Sequence, residues 1–274
     1  MEGTCLTATA SVAAHCSLPP SYGESLEAGL HFINLPIVEG STVSPIVPPD
    51  NSTHGGHNVA WAVGALAATL RSQKAVPLDR ARALLLLIHL VGDVHQPLHA
   101  ATAVSARWPQ GDQGGNKFPV SVDFDPTVQS LHQLFDSGCG LWNRQVAQHR
   151  PLRGDDAAWL EKWAQNVTAE VPPPEEPFQE LPYWWAQESW QLASDIAYAG
   201  LARPEEGAEP AVPSPAYVQT AQRALIARAA RAGYRLADLL NDALAPTKSG
   251  LLGQAAAAAG GSRPRASGAV VVPR

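Results

Sequence analysis

The sequence predicts a mainly α-helical protein organised around one domain, and three observations carry that reading. Hydrophobic residues make up 45% of the 274-residue chain and charged residues only 16%, enough apolar material for a sizeable core. Leu225, Ala229, Ala232, Leu236 and Leu239 recur every three or four positions, which gives one apolar stripe on a helix over Tyr217 to Leu244. The proline-rich stretches, Pro172 to Pro174 and Pro204 to Pro215, fall between helical segments as linkers would.

Taken in order, Met1 to Ala14 carries Glu2 and no basic opening run, so it does not read as a signal peptide. Leu78 to His95 is made of helix formers behind Pro77, a good helix entrance, and its leucines suggest a central, largely buried helix. Pro97 stops it: the ring would meet the carbonyl of Asp93, and Gln96 is pushed out of helical angles. Between Gly114 and Phe124 the period changes to two, with Phe118, Val120, Val122 and Phe124 alternating with Lys117, Pro119, Ser121 and Asp123. That pattern predicts an edge strand in a small β-hairpin. Asp125 and Pro126 suit the cap and first turn of a helix carrying Leu131, Leu134 and Phe135. Further helices are predicted over Ala157 to Glu170 and Tyr183 to Gly200. From Pro246 onward an alanine run, paired glycines and SRPRASG read as a disordered tail.

Composition excludes several function classes. With 19 basic and 25 acidic residues the formal charge is −6, which argues against gripping nucleic acid by a basic surface alone. The apolar run Ala83 to Ile88 is far shorter than the roughly 20 residues that span a bilayer, so no membrane span is predicted. Three cysteines, Cys5, Cys16 and Cys139, give no readable disulfide framework. Two sequons, at Asn51 and Asn166, would permit glycosylation.

The chemistry is concentrated in the histidines. His89 and Asp93 stand four apart on the leucine-rich helix, and His132 and Asp136 repeat that spacing, so each pair shares one helix face. His99 follows the Pro97 break. Imidazole and carboxylate are natural zinc ligands, and such groups beside LLLLI would be costly without a partner. One His-x-x-x-Asp pair alone is more often a hydrogen-bonded core pair or a solvated face. Two pairs, a third histidine and an intervening Gly-Gly-Asn turn point to a metal cluster.

The strings IHLVGDVHQPLHA (Ile88 to Ala100), GGNKFPVSVDFD (Gly114 to Asp125) and LHQLFD (Leu131 to Asp136), in that order, resemble the S1/P1 nuclease family of zinc-dependent nucleases. LHFIN (Leu30 to Asn34), WAQESW with Tyr198, and GYRLADLLN (Gly233 to Asn241) extend the resemblance. It implies a single helical domain of the P1 nuclease and zinc phospholipase C type over residues 30–244. It also implies hydrolysis of single-stranded DNA or RNA to 5′-phosphorylated nucleotides, with 3′-nucleotidase action, by zinc ions that activate water and stabilise the departing 3′ oxygen. By the same resemblance His31, His89 and Asp93 hold a first zinc, with Asp93 also bridging toward another metal. His99, His132 and Asp136 hold a second. Asn116 lies near the scissile phosphate, and Phe32 and Asn34 receive a base by stacking and edge hydrogen bonds; on the residues alone, Phe32 equally suits core packing. The family implies a secreted or vacuolar monomer.

The departures lie at the start. The family opens on a tryptophan that binds a third zinc with a nearby histidine, and a Ser-Trp-Ala-Asp segment followed by an arginine precedes the first ligand. The corresponding stretch here is Ser11 to Cys16, where His15 or Cys16 could serve as replacement ligands. The sequence thus predicts a divergent or truncated segment over residues 1–29 and two zinc ions where the family has three. His95 is predicted to support the ligands from behind, whereas His54, His57 and His149 are read as surface groups. Three rivals stay open: a zinc-binding relative with impaired catalysis, a zinc-dependent phospholipase C, and a helical interaction module with structural histidines.

Overall fold

A computed structural model of the chain describes residues 29–40, 57–142, 154–175, 181–205 and 207–245. Its order is β1 (Leu35–Val38), α1 (Val59–Arg71), α2 (Pro77–His95), a 3₁₀ turn (Pro97–His99), β2 (Ala101–Val104), α3 (Leu131–Asp136), α4 (Gly154–Glu170), α5 (Pro182–Leu192), a π-helical turn (Ala193–Tyr198) and α6 (Pro215–Leu244). The mainly helical class is as the sequence predicts. No helix of the described residues is long and apolar enough to cross a membrane.

Local chemistry explains the boundaries. Asn58 caps α1 by accepting from the Trp61 amide at 3.0 Å, and Phe32 O accepts the Val59 amide, another donor left open at the helix start. Prolines occupy the first position of α2, α5 and α6, where their missing N–H costs nothing. Helices α1 and α2 pack against each other, and each also packs on α5 and α6. Val63, Leu66, Leu87, Leu90 and Val94 lie in the resulting core. Four small residues of α1, Ala60, Ala62, Ala65 and Ala67, are buried there and let its backbone approach its neighbours.

The sheet differs from the prediction. Its two strands are parallel, Leu35 to Val38 beside Ala101 to Val104, with Leu35 opposite Ala101 and Val38 opposite Val104. No hairpin forms over Phe118 to Phe124; that stretch makes isolated bridges, from Pro119 to Ser130 and from Val120 to Ala211. The alternation did report burial, since Phe118, Val120 and Val122 are buried, but Phe124 is exposed. Pro119 lacks a ladder donor, and the partner segments are single bridging residues that cannot sustain a ladder.

Three helix expectations also need correction, and one helix was not foreseen. Asp125 and Pro126 do not open α3. Asp125 Oδ1 accepts from the Thr127 amide and hydroxyl in a local turn, and the cap is Ser130, whose hydroxyl accepts from Gln133 N. The LLLLI run is not buried throughout, because Leu85, Leu86 and Ile88 are exposed; one helix face packs and the run circles the helix. Beyond Leu192 the predicted Tyr183 to Gly200 helix widens into π geometry. Finally, α1 had no place in the sequence reading. The predicted tail lies outside the described residues from 246 onward, as does residue 1–28 of the predicted divergent segment.

Candidate metal centre

The parallel strand pair is what brings the site together. Above Leu35 and Ala101 the two chains continue side by side, with Leu35 N donating to Ala100 O at 3.1 Å and Ile33 N to His99 O at 2.8 Å. His31 and His99, remote in sequence, thus become neighbours. His89 and Asp93 arrive from the last two turns of α2, and His132 and Asp136 from α3.

The first group is compact. His31 Nδ1 lies 2.8 Å from Asp93 Oδ2, His89 Nε2 lies 3.1 Å from His31 Nδ1, and His89 Nε2 lies 3.2 Å from Asp93 Oδ2. Ligands at about 2.0–2.2 Å in a tetrahedron stand roughly 3.3 Å apart, so one ion fits at the apex of this triangle. In the second group His99 Nε2 is 3.4 Å from Asp136 Oδ1 and His132 Nε2 is 3.5 Å from Asp136 Oδ2. Within each group the donor atoms all lie within 4.8 Å of one another. Both groups have the chemistry and the spacing to hold a metal ion.

Outer hydrogen bonds aim the second group. His99 Nδ1 donates to His31 O at 2.7 Å and His132 Nδ1 to Gly114 O at 2.8 Å. A carbonyl only accepts, so each Nδ1 is protonated and each ring turns its Nε2 toward the centre, the atom that would face an ion. Burial works against charge on His99, but its bond to Asp136, the Asp93 charge and the His31 carbonyl together raise its pKa. Burial would likewise raise Asp136, yet bonds from His99 and Gln96 and the His132 charge hold its carboxyl below the usual range. The Gln96 amide reaches Asp136 Oδ1 at 2.8 Å.

Two supports escaped the sequence reading. Asp112 is fully buried, and its Oδ1 accepts from Ala103 N at 2.9 Å, Gly115 N at 3.1 Å and the Tyr198 hydroxyl at 3.0 Å. This carboxylate pins the Gly114-Gly115 turn that faces His132, and its position three residues before Gly115 was the signal available. The second support grips the end of α2. Ser189 donates to Val94 O at 2.6 Å and Arg228 to His95 O at 3.2 Å, while Arg228 and Arg235 both bind Glu188. The two arginines pull the Glu188 carboxyl down to about 2 against the effect of burial. His95 donates from Nδ1 to Val91 O and accepts at Nε2 from Arg235; burial first, then Arg228, holds it neutral. His95 therefore supports α2 from behind, with both ring nitrogens engaged.

The remaining expectations divide. Phe32 and Asn34 follow His31 directly and flank buried Ile33, both half-buried. Asn116 is exposed, and its amide turns back onto Gln113 O at 2.8 Å. His57 is not a bare surface group, since it is half-buried and stacks on Trp61 with ring centroids 4.1 Å apart. His15, Cys16, His54 and His149 lie outside the described residues.

The S1/P1 nuclease family model matches residues 6–245. Endonuclease 2 of Arabidopsis thaliana is 27% identical over 188 residues, covering 63% of this chain and 58% of its own length. The chain thus spans less than two thirds of the length of that curated relative.

Proposed function

The chain belongs to the S1/P1 nuclease family, and on that premise we propose that it is a zinc-dependent phosphodiesterase. Its substrates are single-stranded DNA or RNA, cut to 5′-phosphorylated nucleotides, with 3′-nucleotidase action at the same centre. The observation that carries this reading is the pair of three-donor groups, His31, His89, Asp93 and His99, His132, Asp136, held side by side by one strand pairing. Similarity to a plant endonuclease supports it.

In this proposal the six residues are the zinc ligands, and Asp93, the least exposed member of the first group, also faces across toward the second. Zinc held there supplies water activation near neutral pH and charge neutralisation at phosphorus. The protein's own part is orientation. His31 O and Gly114 O fix the ring tautomers of His99 and His132, Gln96 holds Asp136, and the cation-binding centre supplies the phosphate attraction that a chain of net charge −6 otherwise lacks. Phe32 and Asn34 serve as a base platform beside His31, and Asn116 acts from the Gly-Gly-Asn turn once a phosphate draws its amide from Gln113. Residues 30–244 form the working domain, and the chain acts as a monomer in a secretory compartment, where exposed Asn166 is a glycosylation acceptor.

The test pairs elemental analysis with cleavage of matched single-stranded and duplex DNA and RNA, before and after chelation. Bound zinc, chelator-sensitive cutting of single strands and 5′-phosphate ends are expected. Zinc-loaded protein that leaves every single strand intact while hydrolysing phosphatidylcholine would overturn the proposal.

A further inference from the structure

Outside the metal groups, the chain makes an excursion from Val104 to Asp112. It leaves the far end of β2 at Ser105 and returns beside the same strand, with Asp112 N donating to Ala103 O at 3.1 Å and Gln113 N to the Thr102 hydroxyl at 3.2 Å. The four residues of β2 span roughly 13 Å, so the excursion stands a strand's length from His99. Its return leads into the turn at Gly114, whose carbonyl aims His132.

Trp108 anchors the excursion. Its carbonyl accepts from Gly111 N at 2.9 Å and Ser105 N at 3.3 Å, and the residue is buried. Two guanidiniums lie over its ring, with Arg107 Cζ 5.1 Å and Arg203 Cζ 4.6 Å from the centroid, and Arg203 Cζ is also 5.9 Å from the centre of Phe118. One cation on an aromatic face is common. Two on a single ring repel, since they are no farther apart than the sum of their distances to it. Arg228 and Arg235 answer the same conflict with Glu188, which binds both. Arg107 gives an N–H to Pro204 O at 2.8 Å, and among the described residues neither Arg107 nor Arg203 pairs with a carboxylate. The planar fork of a guanidinium matches phosphate oxygens, and Arg107 is exposed and Arg203 half-buried. On the return toward the metal groups the exposed residues are Gln113, Asn116 and Lys117, polar or basic throughout.

We propose that Arg107 and Arg203, mounted on Trp108, form a phosphate clamp for the part of a single strand that runs beyond the metal centre. The inference rests on the nuclease reading above. It gives a chain of net charge −6 a local grip on the substrate backbone, independent of base identity, and it makes affinity depend on strand length.

The test compares the parent with Arg107→Gln, the double Gln variant and the double Lys variant, all zinc-loaded, with zinc content and unfolding midpoint recorded. Binding is measured over a salt series for a phosphorothioate single strand of about 12 nucleotides, within the usual span of single-strand sites, for a dinucleoside monophosphate, and for phosphatidylserine vesicles. A lost charged hydrogen bond typically costs about 10-fold or more in affinity. The double Gln variant should lose at least that for the long strand, with its logarithmic salt slope shallower by about 1.4, while dinucleotide affinity stays that of the parent. The double Lys variant should keep most of the slope, because slope counts charge. Arg107→Gln, at an exposed position, should show about half the change in slope and keeps the test decisive where Arg203 variants fail to fold. Long-strand affinity and slope equal to the parent's overturn the clamp, as do equal losses for strand and dinucleotide, or a loss confined to the vesicles. Arginine-dependent strand binding in a parent that cleaves no nucleic acid would refute the nuclease reading and leave the clamp in place.

Discussion

Replacing Glu188 by glutamine should cost the fold roughly 3–5 kcal/mol. The variant keeps the side chain's shape and removes its charge. Arg228 and Arg235, whose side chains are 2% and 1% exposed, would then lose the carboxylate charge they share, and removing one member of a buried charge cluster costs about that much. An independent route gives a similar figure: a carboxyl held at about 2 against an ordinary 4.5 corresponds to on the order of 3 kcal/mol. Because the folded value lies below the unfolded one, the contribution is complete above about pH 5 and drains away as the pH falls toward 2. Urea unfolding followed by tryptophan fluorescence, with the Arg235 guanidinium over the Trp185 ring as a local reporter, measures both. The gap between parent and Glu188→Gln should hold steady from pH 8 to about 5.5 and close below it. A gap under about 1 kcal/mol at neutral pH, or one that widens on acidification, would refute the reasoning.

Other outcomes follow from the same geometry. Asp93→Ala should abolish hydrolysis and lower zinc content, whereas His95→Ala should reduce activity about 10- to 100-fold with more zinc retained; equal losses in both readouts would break this ranking. Gly114→Ala should destabilise the protein by more than about 1 kcal/mol, since Gly114 has φ +63° and an added Cβ would lie 2.3 Å from Leu98 O; an unchanged unfolding midpoint would count against it. Chelation should lower the unfolding midpoint reversibly, because a ligand present at 1,000 times its Kd stabilises by about 4 kcal/mol, and a midpoint indifferent to zinc would exclude a metal-stabilised centre.

Four of the six grouped residues were legible because their signal is local: a histidine and an aspartate four apart on one helix share a face whatever the rest of the chain does, whereas His31 entered only through the family resemblance. The break at Pro97 was legible for the same reason, since it follows from a ring and a missing N–H. What could not be read was the pairing of Leu35–Val38 with Ala101–Val104, because neither tetrapeptide has a long alternating pattern and their pairing depends on helices packed elsewhere. Helix α1 was overlooked although Asn58 and the run AWAVGALAATL were its markers. Phe118 to Phe124 misled in the other direction, for burial on alternate residues does not require a continuous ladder. Arg228 and Glu188 were invisible as partners because nothing in a helix pattern says which buried charges will meet.

The strand pairing and the clamp on α2 also set an order in which the centre can come into being during synthesis. His31 must close on Asp93 across 62 residues and on His99 across 68, so the first group can assemble once the chain has emerged a little beyond β2, and the second once α3 follows. Arg228 reaches back 133 residues to His95. The His95 carbonyl at the end of α2 is therefore gripped only after nearly the whole domain has left the ribosome. All six donor side chains can be present on a nascent chain well before the part that holds them in register, and the geometry of the centre is completed by α6.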